Sequence, residues 1–289
     1  FLKRKITNLD DGHYFDMTTP YGYGGPLIST RNRDVVTNFR KALSDFCSQE
    51  KIVTEFIRFH PMLKNEVGFQ HLIGVQYVQE TVYLDLTLSE EELFRQFHKS
   101  HRGKVRKAKR EQLTFQVLEP EEAMAYLDDF ITLYYQTMDR NRAHPYYYFP
   151  KAYFEHLLDR FCEHVRLAIV CIGDKVIVAD ILLYEGDFLH SHLNGANRNY
   201  FHTGSNIFMI YETARWGKQN GFKYFHIGGG TANNDSLFRF KSRFNPTGLA
   251  QFHIGKVIHN QQVYDELTRQ WKKRNRKQIN PHFFPIYRQ

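Results

Sequence analysis

"RLAIVCIGDKVIVADILLYEGDFLHSHLNGA", Arg166–Ala196, contains three apolar-rich runs separated by Gly173-Asp174 and Gly186-Asp187. Glycine followed by aspartate between such runs supplies tight turns, so the stretch predicts three strands in hairpin order. After it, His202–Phe222 has helical character, with Thr203 or Ser205 near its N-cap and Gly221 as its stop. A buried strand, "KYFHIGG", is expected at Lys223–Gly229, then a short helix in "NNDSLFRFKSRF", a strand at Gly248–Ile258 and a terminal basic helix. Before it, "LTFQVLE" predicts a strand, and Pro120 starts a long helix to about Asp139. An aromatic loop, "HPYYYFPKAYF", leads into a helix over Ala152–Cys162. From Leu113 onward the chain is therefore mixed α/β.

The first part of the chain is less regular. Tyr14–Met17 is expected as a strand that ends at "TTPYGYGGP", where prolines and glycines forbid regular structure. Asp34 to about Gln49 predicts a helix with Val35, Phe39, Leu43 and Phe46 on one face. Strands follow at Val53–Phe59, Leu72–Val78 and Val82–Leu86, and Ser89 with Glu92 forms a capping-box signal. The next helix carries a basic run that Gly103 is expected to bend or interrupt. The expected units are 1–111 and 112–259, with the C-terminal segment 260–289 rejoining the first. They would be two related α/β units, each a mixed, largely antiparallel sheet flanked by helices, with a cleft between them. Because the chain opens on Phe1, residues upstream are expected.

The 289 residues are 42% hydrophobic and 24% charged, the balance of a globular protein. Three cysteines without CxxC spacing argue against a disulfide framework or a cysteine zinc site, and for a reducing, cytoplasmic setting. No apolar run approaches the roughly 18 residues that a spanning helix needs. A peripheral place at the inner membrane face is compatible with this. The net charge of +8 favours anionic partners. Eight Lys/Arg and no carboxylate fall between Phe94 and Arg110, and "RQWKKRNRK" runs from Arg269 to Lys277. These are either solvated helix faces or a track for phosphates, including tRNA through segments 95–110 and 269–277. Neither resembles a groove-reading motif, so DNA is not expected as a partner.

The chemistry-bearing stretch is "HIGGGTANNDSLFRFKSRF", His226–Phe244. With Asp235 as helix cap, Leu237, Phe240 and Phe244 would form an inward stripe and Lys241 would sit on its border. Its stem would lie on aromatics with the ammonium aimed into a place of low dielectric. There it would meet a developing oxyanion or a substrate phosphate; a snorkelling surface lysine is the rival reading. Gly228, Gly229 and Gly230 permit close backbone approach to a ligand, or merely a turn with positive φ. Thr203, Gly204 and Ser205, at a helix start, are a possible anion site through free N–H groups. Asp180 is the best candidate for a buried carboxylate and would orient an amine or make a structural hydrogen bond. His190 and His192 alternate on one strand, with His226 on its neighbour, as cleft or core histidines, a base or a metal site. Tyr21, Tyr23, Gly24 and Gly25 would line an acceptor groove or pack a turn. No GxSxG or Cys–His pattern suggests a hydrolase.

The order of elements from Leu113 matches the GNAT acyltransferase plan. With "FDMTTPYGYGGPLI", "HRGKVRKAKR", "GSNIFMIYETARWGKQNGFKYFHIGGG" and "LFRFKS", the chain resembles the FemAB-like branch of that superfamily. The resemblance implies two GNAT-like domains and transfer of an amino acid from aminoacyl-tRNA to an amine of a peptidoglycan precursor. It also implies that Phe240 and Lys241 match a Phe-Lys pair near the reacting centre, with Arg239 beside them as a binding residue. A coiled-coil hairpin found in some glycyl-transferring members has no counterpart here, and "NRNYFHTGSN" lacks a clear RxxGxG/A coenzyme A signature. The expected function is therefore an acyl- or aminoacyltransferase making an amide on a cell-wall or polysaccharide precursor of a bacterium. Neither metal nor prosthetic group is implied, and the co-substrate is aminoacyl-tRNA or acyl-CoA. Two alternatives stand beside it: an acyl-CoA-dependent N-acetyltransferase, and a non-catalytic binding protein for an anionic glycan or nucleic acid.

Overall fold

A computed structural model describes residues 1–7, 12–30, 32–275, 280 and 283–289. In chain order its elements are β1 (Leu2–Lys5), β2 (Phe15–Thr18), α1 (Arg33–Gln49), β3 (Ile52–Arg58), β4 (Gly74–Asp85), α2 (Glu90–Gln96), α3 (Lys99–Arg110) and β5 (Thr114–Leu118). Then follow α4 (Pro120–Ala123), α5 (Leu127–Arg140), α6 (Lys151–Arg160), β6 (Val165–Ile172), β7 (Lys175–Glu185) and β8 (Phe188–Ala196). The last are α7 (Ser205–Gln219), β9 (Tyr224–Gly229), α8 (Ser236–Ser242), β10 (Leu249–Ile258) and α9 (Gln261–Arg274). The fold is mixed α/β, with sheets that are mostly antiparallel and flanked by helices.

Two compact units divide the chain. One comprises Phe1–Glu80 with Ala250–Gln289, the other Thr81–Leu249. The expected first boundary, after residue 111, differs because α2 and α3 bury Leu93, Phe97, Val105 and Ala108 in the same cluster as Phe208, Met209 and Tyr211 of α7. Burying those side chains is what assigns both helices to the second unit.

In the first unit, β1 pairs antiparallel with β2, β2 parallel with β3, and β3 antiparallel with β10. Tyr264, Leu267 and Trp271 of α9 pack with Ile6, Val53 and Tyr287. Helix α1 turns a different face inward from the one its apolar spacing suggests. Val36, Arg40 and Cys47 are buried, whereas Val35, Phe39 and Phe46 are about half exposed. The cause is an ion pair: Arg40 donates to both carboxylate oxygens of Glu55 on β3, at 2.9 and 2.8 Å. Burial opposes ionisation of Glu55, but hydrogen bonding by His259 and Arg40, with the Arg40 charge, holds its pKa below the usual carboxylate value. The glycine loop after β2 is tied down by Asn65, whose amide donates to the carbonyls of Gly24 and Pro26. Gly25 has φ +82°, and a Cβ there would crowd Phe59, Arg58 and Asn65. Tyr23 meets Phe252 edge-on at 5.0 Å.

In the second unit, β4 pairs antiparallel with β9, β9 parallel with β8, and β8, β7, β6 and β5 follow antiparallel. The turns at Gly173 and Gly186 have φ +56° and +52°, as the glycine positions predict. One sheet face packs on α2, α3 and α7. The other takes α5, which comes so close at Gly195 that a Cβ there would lie 2.4 Å from the Tyr134 nitrogen.

Four local expectations are corrected. The strands expected at Leu72–Val78 and Val82–Leu86 are one strand, β4, because no glycine or proline at residues 79–81 ends it. The helix break falls at Phe97 and His98, not at Gly103, whose absent Cβ faces open space. The long helix from Pro120 divides into α4 and α5 around a 3-10 turn at Met124–Tyr126. Helix α7 is capped by Gly204 at φ +89°, not by Thr203 or Ser205, whose hydroxyls donate to Tyr200 O.

Arg40→Met strands a carboxylate without its guanidinium, and breaking a buried pair in this way costs about 3–5 kcal/mol. Urea unfolding of the variant is expected to show a loss of that order, part of which Glu55→Gln added to it recovers.

Candidate functional site

The site is built where two parallel strands part. Strands β8 and β9 pair only at Phe188↔Tyr224, Leu189↔Phe225 and His190↔His226. Both run on, β8 to Ala196 against β7 and β9 to Gly229 against β4. The β7–β8 register slips between Ile181 and Leu182, and the β4–β9 register slips between Val82 and Tyr83. Such irregularities bend a strand and increase its twist, which opens a notch past His190 and His226.

Lys241 reaches this notch from α8. Asp235 starts that helix, its Oδ1 accepting from the Phe238 amide at 2.7 Å, while its Oδ2 accepts from the Thr231 amide and hydroxyl, both at 2.7 Å. Burial works against the Asp235 charge, but these bonds together with the Ala232 amide outweigh it and hold the pKa at about 2. Gly230 is obligatory beside this cap, since a Cβ there would lie 2.2 Å from Asp235 Oδ1. The inward side chains of α8 are Phe238, 8% exposed, with Phe244 just past its end; Leu237 is 38% exposed and Phe240 is partly buried. The expected stripe is thus rotated by one residue at its start. Asp235 sets that phase, because its cap fixes which residue of the first turn faces the sheet.

The Lys241 ammonium donates to Gly229 O at 2.9 Å, at the open end of β9. Burial pushes its pKa down to about 8, against the opposing pull of Asp180 and Asp235. Asp180, on β7 opposite Asn194 of β8, is fully buried. Burial pushes its pKa up to about 7, against the Ser191 hydrogen bond, the Lys241 charge and Asn194. Ser191 Oγ donates to Oδ2 at 2.6 Å, while Oδ1 makes no hydrogen bond. The part-buried ammonium bonded to β9 and the fully buried carboxyl on β7 therefore act on each other's charge, one a donor and the other an acceptor.

The other predicted residues fall elsewhere. Phe225 and Ile227, on either side of His226, both join the α7-facing cluster, so His226 points to the opposite sheet face. There its Nδ1 lies 3.0 Å from His190 Nδ1, the two rings stack at 5.0 Å, and His192 lies 5.9 Å beyond His190. His192 Nε2 is 3.3 Å from the Tyr153 hydroxyl, and burial pushes its pKa down to about 4. Among the described residues no group of three or more His, Cys, Asp or Glu is arranged to hold a metal ion. Thr203, Gly204 and Ser205 are buried, and a Cβ at Gly204 would lie 2.7 Å from Lys104 O of α3. Arg239 is exposed, and Gly228 has φ +72° beside the strand end. Tyr21, Tyr23, Gly24 and Gly25 belong to the first unit.

The basic segments are less open than their composition implies. Arg102 donates to Arg95 O, Lys104 to His202 O, and Lys109 stands 3.7 Å from Glu212, while Lys99, Arg106, Lys109 and Arg110 are exposed on α3. In the second segment Lys272, Lys273 and Arg274 form the last turn of α9, and Arg276 and Lys277 lie outside the described residues. No helix among the described residues is long and apolar enough to cross a membrane.

Two site residues escape a reading of the sequence alone. Ser191 is one polar residue between two histidines on β8. His101 sits inside a basic run, although its i, i+4, i+7 spacing with Val105 and Ala108 marks a buried helix face.

The pair makes stability depend on pH in opposite senses. Asp180 keeps its proton in the folded state up to about pH 7 but releases it near pH 4 when unfolded, so its term weakens the fold as pH rises between those values. Lys241 is protonated in the unfolded chain up to about 10.5 and in the fold only to about 8, so its term strengthens the fold between those values. Asp180→Asn is expected to remove the first slope, at most about 1.4 kcal/mol per pH unit, in unfolding curves from pH 4 to 7.

Comparison with known proteins gives this geometry its family. No curated protein matches the chain in sequence. Among solved structures, FemX superposes with a TM-score of 0.69 at 15% identity, over 91% of this chain and 85% of its own. L-PGS from Bacillus licheniformis gives 0.58 at 13% identity, over 84% of this chain and 78% of its own. The C-terminal domain of a putative lysylphosphatidylglycerol synthetase from Agrobacterium fabrum gives 0.57 at 12% identity, over 87% and 79%. At such identities the likeness is one of fold, and it is the fold expected from the FemAB-like resemblance. The family described as an acetyltransferase (GNAT) domain matches residues 95–242, just over half of the chain and nearly all of the unit that holds the notch. The chain belongs to the GNAT acetyltransferase-domain family.

Proposed function

We propose that the protein is an acyl- or aminoacyltransferase that makes an amide on an amine of a cell-wall or polysaccharide precursor. The observation that carries this reading is the Lys241 ammonium, held on Gly229 O beside the buried Asp180 carboxyl at the parting of β8 and β9.

Amide formation from an ester or thioester requires a neutral amine near the carbonyl, stabilisation of the oxygen as it gains charge, and exclusion of water. Holding both substrates in reacting geometry is worth roughly 7–11 kcal/mol in well-oriented systems. A fixed donor to the developing oxyanion adds on the order of 3 kcal/mol. In this reading Lys241 is that donor. Its desolvation matters, because a charge removed from water acts more strongly on a neighbouring oxyanion. Asp180, whose pKa of about 7 suits proton exchange near neutrality, accepts a hydrogen bond or proton from the substrate amine through Oδ1. As the amine nitrogen bonds to the carbonyl carbon, it loses a proton, and the ester or thioester bond breaks with its electrons on the leaving group. Phe240 packs on His101 and Phe244 next to the lysine in sequence, Gly228 and Gly229 let a ligand approach the backbone, and Arg239 is available to an anionic part of a substrate. Tyr21, Tyr23, Gly24 and Gly25 lie in the first unit, His192 is on the other sheet face and the Thr203–Ser205 turn is buried, so none of them is given a substrate contact in this reading. The FemAB-like resemblance and the fold shared with FemX support an aminoacyl donor. Membership of the GNAT acetyltransferase-domain family supports the second reading, in which the donor is an acyl-CoA.

Lys241→Met is expected to lower kcat by about 10²–10³-fold while donor binding persists. Thermal shift with coenzyme A thioesters, UDP-linked muropeptides and charged tRNA identifies the ligand: at 100 times its Kd, a true one adds about 2.7 kcal/mol. Undiminished transfer by Lys241→Met refutes the role of the lysine, and wild-type protein without transfer from any donor favours a binding protein for an anionic glycan or nucleic acid.

A further inference from the structure

Helix α8 has only seven residues, follows a glycine turn, and must still present one ammonium at a fixed point. So short a helix does not hold itself in place, because its first amides and last carbonyls lack partners within it. Asp235 serves the leading end. At the trailing end the helix stops at Ser242, and the Phe244 amide bonds back to Lys241 O instead of Phe240 O. The Phe240 carbonyl, which forms the peptide bond to Lys241, is thereby left without a donor from its own helix.

His101 supplies one. Its ring, 2% exposed, brings Nε2 to 3.1 Å from Phe240 O and lies between two aromatic rings, 5.2 Å from Phe240 and 4.5 Å from Phe244. A carbonyl accepts, so Nε2 carries the proton and donates. Three residues along the same helix, the backbone at Lys104 abuts Gly204 at the start of α7. The amide of His98, which caps α3, donates to Arg243 O at 2.7 Å. Burial pushes the His101 pKa down to about 4, assisted by Arg243 and His98 and opposed by the bond to Phe240, so the ring is neutral in ordinary buffers.

We propose that His101 is a positioning residue for Lys241: its Nε2–H holds the Phe240 carbonyl and so sets where the lysine stem leaves α8. The proposal rests on the reading of Lys241 given above. It also assigns the run "HRGKVRKAKR" an inward purpose that is distinct from its charge. His101 touches neither a reacting atom nor a substrate in this scheme and acts only through the peptide that it holds.

The test compares His101→Phe, which keeps the aromatic volume but loses the donor, with His101→Gln, which retains an N–H of similar reach. The first readout needs no substrate: competitive labelling of amines with acetic anhydride across pH 6–11, read at Lys241 by peptide mass spectrometry, reports where that lysine titrates in the whole protein. His101→Phe is expected to raise the midpoint from about 8 towards the ordinary lysine value as the ammonium gains water, and His101→Gln to restore it. The second readout is transfer, where His101→Phe should lose at least tenfold in kcat with both KM values within twofold, and His101→Gln should recover to within threefold of wild type. An unmoved Lys241 midpoint in His101→Phe, or His101→Gln as impaired as His101→Phe, overturns the proposal. Should His101→Phe fail to fold, His101→Leu takes its place in the same comparison. Lys241→Met, run in parallel, separates the two ideas: if it leaves transfer intact, the functional reading fails while the labelling result still decides whether His101 positions the lysine.

Discussion

A part-buried ammonium and a fully buried carboxyl, each acting on the other's charge, are the constraint on which the second unit depends. Either group alone would be costly in a sheet interior, and the penalty would be met by loss of its charge. Together they reach a compromise, with Lys241 drawn down to about 8 and Asp180 drawn up to about 7. Near neutrality the pair is poised so that a small change in its surroundings redistributes a proton. A pair buried only for stability gains little from that poise, since well-packed apolar residues commonly serve as well.

The surrounding architecture explains how the pair comes to lie where the sheet opens. Parallel pairing of β8 and β9 stops after three residue pairs, and irregularities in both flanking ladders turn the strands apart. α5 presses on β8 at Gly195, while α2, α3 and α7 fill the opposite face, so the parting is a local feature of a well-packed sheet. Asp235 at one end of α8 and His101 at the other span the element that delivers the lysine. The histidines at the apex of the notch turn to the other sheet face, which separates them from the Asp180–Lys241 pair.

Much of this was legible before any coordinates. The hairpin order of β6, β7 and β8, the Asp235 cap, the Ser89–Glu92 capping box and the glycine turn before α8 all rest on local rules of a few residues. Lys241 stood out because a lone lysine among phenylalanines conflicts with both a core helix and a solvated one. The failures have a common cause as well. Apolar spacing selected Val35, Phe39 and Phe46 as the inner face of α1, yet a buried arginine bonded to Glu55 turned the helix the other way. Periodicity gives the period of a face and leaves its phase to other contacts, an ion pair distant in sequence for α1 and the Asp235 cap for α8.

The sequence by itself determined the class of fold, most of the order of strands and helices, and the lysine that stands among aromatic residues, Lys241. These follow from interactions within a turn or two of chain. Tertiary structure alone decided that Asp180 and Lys241 act on each other's charge, that the histidines do not join them, and that His101 grips the peptide before the lysine. Sixty-one residues separate Asp180 from Lys241 and 139 separate His101 from Phe240. Contacts over such distances are made by the packing of the sheet and its helices, and desolvation, which tunes both pKa values, exists only once that packing is complete.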